Sequence, residues 1–195
     1  MKKNNLATAS FARRLCLVLI VLPAPLLMIG CAGGDSFFAQ NFPKDFVDRA
    51  RRRFETDITG WEVSQDASIP GRIHLVLSAE PSVESDFRNF CELTILRNLR
   101  AHRFELATGA PARLVVCIVK ASEVRRPVRL AKVRLAVSLR SPHAEQPVLL
   151  GICDGIVPRP DLTARIPMPK SSYLGAAHHA IARLMQQLST MPREL

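Results

Sequence analysis

The chain is poor in the residues that usually announce a chemistry. Its 195 residues hold one Trp and one Tyr, so stacking platforms for RNA bases or sugars are scarce. No Cys-x-x-Cys pair occurs, which leaves thiol redox exchange and a zinc knuckle without their usual ligand spacing. There is no Gly-x-Ser-x-Gly, no His-Glu-x-x-His and no phosphate-cradling glycine loop. The only adjacent histidines, His178 and His179, sit on a helical pattern where neighbours point about 100° apart. They therefore cannot clamp one metal as an i, i+4 pair would, and read as solvent-facing. His74, His102 and His143 are scattered singly. No acidic residue precedes Asp35. No internal repeat or low-complexity stretch is present, and no cofactor is expected.

What is present begins with an asymmetric N-terminus. Lys2, Lys3, Arg13 and Arg14 precede an apolar run from Leu15 to Ile29, interrupted by Pro23 and Pro25. A basic start, a short apolar segment and a small residue before the cut are the marks of an export signal. The run is also shorter than the roughly 20 residues needed to span a bilayer as a helix. Leu26-Leu27-Met28-Ile29-Gly30-Cys31, with small Gly30 directly before the cysteine, resembles the bacterial lipobox. That resemblance implies residues 1–30 as a lipoprotein signal peptide and Cys31 as the lipidated first residue of the mature chain.

Removing residues 1–30 takes away four positive charges and leaves the remaining 165 residues near +6, from a full-chain net charge of +10. This length suits one domain, and 48% hydrophobic residues suffice for a packed core. A basic exported chain tied to a membrane would not meet nucleic acid. Anionic lipid headgroups or other envelope proteins are the expected partners. Of five cysteines, Cys91, Cys117 and Cys153 remain besides Cys16 and Cys31. Three is odd, so at most one bridge forms within the chain. Cys117 and Cys153 both lie in apolar strand-like runs, either as buried small hydrophobes or as a Cys117–Cys153 disulfide.

Residues 31–43 read as a lipidated tether, flexible at Gly33 and Gly34. From 44 to 70 the pattern is a short basic amphipathic helix followed by a linker. Phe46, Val47, Ala50 and Phe54 recur at helical spacing among Arg49, Arg51, Arg52 and Arg53. Such a helix lies either on anionic headgroups or against the domain with its basic face solvated.

The remaining segment, 71–195, reads as an α+β domain. Arg72 to Ser78 alternates as a strand, and a helix capped by Ser82 runs to about Ala101. Phe104–Leu106 is a brief strand end. Leu114 to Val119 is a strand covered on both faces. Lys132 to Arg140 alternates most cleanly, with Val133, Leu135, Val137 and Leu139 on a dry face. Lys132, Arg134, Ala136, Ser138 and Arg140 fall on the opposite face, expected to be wet and positive. Val148 to Val157 is a further strand in which Gly151 and Gly155 suggest a bulge or bend. A last helix, capped by Ser171 or Ser172, carries the stripe Leu174, Ala177, Ile181, Leu184, Leu188 and Met191. The expected fold is an antiparallel sheet of about four strands in β-α-β-β-β-α order, both helices on one face.

The window from 120 to 140 concentrates Lys120, Arg125, Arg126, Arg129, Lys132, Arg134 and Arg140 against the single acid Glu123. Read as a hairpin, these positives either discourage edge aggregation or form an anionic-lipid contact surface. Asp154-Gly155 reads as a strand-end turn or as a carboxylate in a cleft.

Export signal, tether and element order together resemble the small envelope lipoproteins of Gram-negative bacteria. The groups sharing this layout are the YajG-like lipoproteins, the auxiliary lipoproteins of ABC-type and MCE-type lipid transport, and the LptE-like lipopolysaccharide-assembly lipoproteins. The resemblance covers residues 72–192, through Leu96 to Leu106, Leu114 to Val119, Val148 to Gly151 and the Ala-rich helix ending in Met191-Pro192. Cys31-Ala32-Gly33 stands where LptE-like proteins begin Cys-Gly-Tyr. Ala32 after the cysteine, by similarity to enteric lipoproteins, implies sorting to the outer membrane. The resemblance implies a non-catalytic, lipid-anchored periplasmic module for binding or assembly. Alternatives are an auxiliary subunit of envelope lipid or lipopolysaccharide transport, and a periplasmic hydrolase that would have to gather Asp154 with His74 or His178.

Overall fold

The computed structural model describes residues 37, 41–52, 54–65, 67–125, 127–142, 144–163 and 165–194, all within one unit, Ala32–Leu195. The signal segment, Cys31 and Arg126 lie outside the described residues.

The element order is α1 (Lys44–Arg51), β1 (Gly60–Val63), β2 (Arg72–Ala79), α2 (Ser85–Ala101), β3 (Glu105–Leu106), β4 (Ala112–Arg125), β5 (Arg129–Arg140), β6 (Leu149–Pro158) and α3 (Lys170–Thr190). The α+β class is as the sequence implies, but the sheet is larger and mixed. Its six strands run in the order β1-β6-β5-β4-β2-β3. β2 pairs in parallel with both β3 and β4, whereas β4, β5, β6 and β1 pair antiparallel. The physical reason is α2. A 17-residue helix after β2 returns the chain to the end where β2 began, so the next long strand runs alongside it in the same direction. The linker expected before Gly71 also contributes strand β1, on the far edge of the sheet.

Two cores sandwich this sheet. On one face, Leu114, Val116, Val133, Leu135, Val137, Leu139 and Leu149 pack beneath α2 and α3, with Ile95 and Leu99 of α2 and Ala177, Ile181 and Leu184 of α3. Both long helices thus share one face, as the alternation predicts. On the other face, Val115, Cys117, Val119, Ala136, Leu150 and Ile152 are covered by Phe42, Phe46, Val47 and Ala50. The short basic helix α1 therefore packs on the domain. Its Arg49 and Arg51 bond outward to Glu62 and Glu80 at 2.7 and 2.9 Å.

The strand glycines have a different role from the one their sequence suggests. β5 and β6 pair without interruption from Leu130↔Pro158 to Leu139↔Leu149, so neither Gly151 nor Gly155 marks a bulge. A Cβ on Gly155 would lie 1.7 Å from the Ala176 carbonyl oxygen, and one on Gly151 would lie 2.0 Å from the Trp61 ring. Gly155 lets α3 approach β6, and Gly151 seats the indole of β1. The register shift lies instead in β4, between Ile118 and Lys120. The helix starts shift slightly: α2 begins after Glu84 and α3 after Pro169, not at the expected serines.

Candidate functional site

The face of β5 expected to be wet is dry at its centre. Lys132 and Arg134 are 1% and 0% exposed, and Asp154, opposite Arg134 on β6, is 0% exposed. Strand alternation puts the three side chains on the α1 face, and the chain after α1 closes over them. Arg134 meets Asp154 in a two-point contact, Nε to Oδ1 at 2.7 Å and Nη2 to Oδ2 at 2.8 Å. Lys132 Nζ lies 2.9 Å from Asp154 Oδ2 and 2.9 Å from Asp57 Oδ1. Two buried cations thus meet two carboxylates, which satisfies the rule that buried charge survives only when compensated.

The rest of the donors bind backbone. Arg134 donates to the carbonyls of Ala50 (3.2 Å), Arg52 (3.1 Å) and Thr56 (2.8 Å). Lys132 also donates to Thr56 O at 2.8 Å, and the Ile58 N–H donates to Asp154 Oδ2 at 2.7 Å. The Phe54 ring lies against this cluster, 5.3 Å from both Lys132 Nζ and the Arg134 guanidinium carbon, with Lys120 Nζ at 5.0 Å. From below, Arg183 of α3 donates to Asp154 O and to Thr59 Oγ1, each at 2.8 Å. Residues 50–52 and 54–58 therefore form a strap, fastened to the sheet by buried charges that sit on the strands.

These positions correct the expected anionic-lipid surface. Lys132 and Arg134 face the strap. Arg129 is buried, gripping Glu123 on one side and the Thr163 and Ile166 carbonyls on the other. Arg125 is exposed and shares the same Glu123. Its two guanidinium partners hold the Glu123 carboxyl down at about 2, against the penalty of burial. Of the expected contact residues that the structure describes, Arg140, at the end of β5, is the one partly open with no ion pair, and its Nε has no hydrogen-bond partner.

The disulfide alternative also falls. Cys91, Cys117 and Cys153 are buried free thiols. Cys117 belongs to the α1-side core and Cys153 to the helix-side core, on strands separated by β5. Burial pushes Cys91 and Cys117 up to about 12 and raises Cys153 as well. Such thiols are held as the neutral, unreactive form.

The hydrolase constellation is not assembled. Asp154 spends its oxygens on Arg134, Lys132 and Ile58. His74 lies on β2, two strands beyond β5. His178 is exposed on α3, edge-on to Phe90 at 5.2 Å, and His179 bonds the Ile156 carbonyl at 2.8 Å. Among the described residues no group of three His, Cys, Asp or Glu side chains is placed to hold a metal ion. The residues that sequence reasoning missed are Phe54, Thr56 and Asp57. The available signal was Asp154 itself, a lone acid in an apolar strand.

No family model matches the chain, and no curated protein matches it. Solved structures do. The PelC dodecamer from Paraburkholderia phytofirmans is similar at 11% identity over 71% of this chain and 100% of that chain, with a TM-score of 0.47. A minor lipoprotein from Acinetobacter baumannii matches at 9% identity, covering 64% of this chain and 98% of that one, TM-score 0.44. A lipoprotein from Caulobacter crescentus matches at 19% identity, covering 60% and 88%, TM-score 0.43. Likenesses this distant carry no argument about role.

Proposed function

We propose that this protein is an outer-membrane lipoprotein, anchored through acylated Cys31, whose α+β domain serves in the periplasm as a non-catalytic binding or assembly module. The lipobox-like run ending at Gly30-Cys31 supports the anchor, and no helix among the described residues is long and apolar enough to cross a membrane. Two buried acyl chains, at about 0.8 kcal/mol per CH₂, suffice for stable attachment.

The short path from Cys31 to the core is the observation that carries the reading. The chain already packs on the α1-side core at Phe37 and is buried at Phe42, which is 2% exposed. Eleven residues from Cys31 to Phe42 span at most about 40 Å. The domain is thereby held close to the bilayer, with its α1-bearing face built from the segment that leads to the lipid. The saturated carboxylate at the charge cluster supports a role in binding over one in chemistry.

The test is Cys31→Ser in the exporting host. The parent is expected to carry diacylglyceryl on its N-terminal peptide by mass spectrometry and to sediment with outer membranes. The variant is expected to lose both properties. Equal processing and equal sedimentation of the variant would overturn the reading.

A further inference from the structure

Beyond the strap, the same sheet face ends in two neighbouring arginines without a counter-charge among the described residues. Val76, Val115, Cys117 and Ala136 pack on the α1 side. Period-2 alternation then places His74, Arg113, Ser138 and Arg140 on that side too. His74 is the direct neighbour of Arg113, and Arg113 of Arg140. With strands about 4.8 Å apart, the three side chains rise from backbone positions within roughly 10 Å of one another. Ser138 is one pleat inward from Arg140 on β5.

Two like charges directly opposite across an antiparallel pair are destabilising. Neither Arg113 nor Arg140 has an ion-pair partner among the described residues, whereas Arg134 and Lys132 on the same strand face are matched by Asp154. The orphaned polar atoms make the second observation. Among the described residues the buried side-chain N and O atoms without a hydrogen bond are His74 Nδ1, Ser138 Oγ and Arg140 Nε. All three belong to this one spot, and Ser138 is 0% exposed. A buried polar atom left unsatisfied costs free energy, and three at one place, beside an exposed arginine, have the chemistry of a site for an anion.

We propose that His74, Arg113, Ser138 and Arg140 form a binding site for a phosphate group. Two guanidinium forks suit phosphate oxygens. A hydroxyl and an imidazole N–H supply further donors from different directions, more than the two oxygens of a carboxylate can accept. The group comes from a lipid headgroup or from a soluble phosphate. The site lies on the face crossed by the segment leading to Cys31, yet it is argued from the sheet alone and stands whether or not Cys31 carries lipid.

The experiment uses the full chain in uncharged detergent micelles, titrated at constant ionic strength with inorganic phosphate, with dihexanoyl phosphatidic acid or with dihexanoyl phosphatidylcholine. The reading is thermal midpoint and titration calorimetry. A saturable rise in midpoint with inorganic phosphate and phosphatidic acid supports the site with a soluble source open to it. A rise with phosphatidic acid alone supports it with the headgroup as source. Arg113→Gln, on an exposed position, is expected to weaken the response roughly tenfold or more. The same variant should equal or exceed the parent's midpoint in phosphate-free buffer, because the Arg113–Arg140 repulsion is gone. Arg49→Gln, outside the site, should respond like the parent, and so should Cys31→Ser. No saturable rise with either phosphate probe, an undiminished response in Arg113→Gln, or an equal rise with phosphatidylcholine in parent and variant would overturn the proposal.

Discussion

Four hydrogen-bond donors converge on the Asp154 carboxylate: two from Arg134, one from Lys132 and the Ile58 amide. Removing that carboxylate leaves Arg134 buried with no counter-charge and Lys132 with Asp57 alone, while removing all three charges leaves no buried cation, only a volume to fill and the strap's neutral backbone groups to find other partners. Asp154→Ala is therefore expected to cost about 3–5 kcal/mol in denaturant unfolding. The triple replacement Lys132→Met, Arg134→Met, Asp154→Leu should cost less than that single change, a non-additivity that a mutant cycle reads directly. Glu123 gives the pH counterpart. Its folded carboxyl titrates at about 2 against an ordinary 4.5. The folded state thus binds fewer protons than the unfolded state between those values, and stability rises with pH across that window. The contribution is fully present above about pH 4.5 and is lost as pH falls toward 2. Glu123→Gln should flatten that acid limb in melts recorded from pH 5 to 2.

At the scale of elements, the two strand glycines differ in what they face. Gly155 abuts the α3 backbone, with the Ala176 carbonyl and the Ala180 nitrogen both inside contact distance of an added methyl. Gly151 faces a half-buried Trp61 side chain on a four-residue edge strand. A helix backbone cannot step aside as an edge side chain can. Gly155→Ala should destabilise by about 3 kcal/mol, and Gly151→Ala by clearly less, in thermal or denaturant melts. These elements also mark what was legible in the chain. The alternation of Val133 to Leu139 set the inner face of β5, and the apolar run Leu114 to Val119 foretold a strand covered on both sides. Periodicity could not say what covered the second side. It left Lys132 and Arg134 looking solvated, because their counter-charge is 20 residues away on β6 and their lid is the segment expected to be a linker. The parallel pairing of β2 and β4 was within reach, since a strand followed by a long helix returns to its starting end. The two-residue β3 and the four-residue β1 are too short to show a period.

For the whole molecule, the boundary between tether and domain falls before Phe37, which already packs on the core that buries Phe42. A protease site placed within residues 32–36 should, on cleavage, release a soluble domain whose melting midpoint matches that of the parent, as judged by fractionation and circular dichroism. A cut after Phe54 should instead strip α1 from the sheet, uncovering Ala136, Cys117 and Val119, and the remainder should aggregate. Of the candidate phosphate site, the sequence pointed only to Arg140, as a candidate anionic-lipid contact. His74 and Arg113 become its neighbours only through the strand order, and nothing in their own sequence surroundings distinguishes them from ordinary surface positions.

The strap's attachment has a mechanical corollary. If Cys31 carries the proposed anchor, a pull on it would enter the fold through α1, after which carbonyls of the strap are hooked onto Arg134 and Lys132. Tension would load the packing of Phe42, Phe46 and Val47 first and those hooks next, before the six-stranded sheet. A tug strong enough to yield would peel one helix and bare two charged side chains before any strand parted from its neighbour.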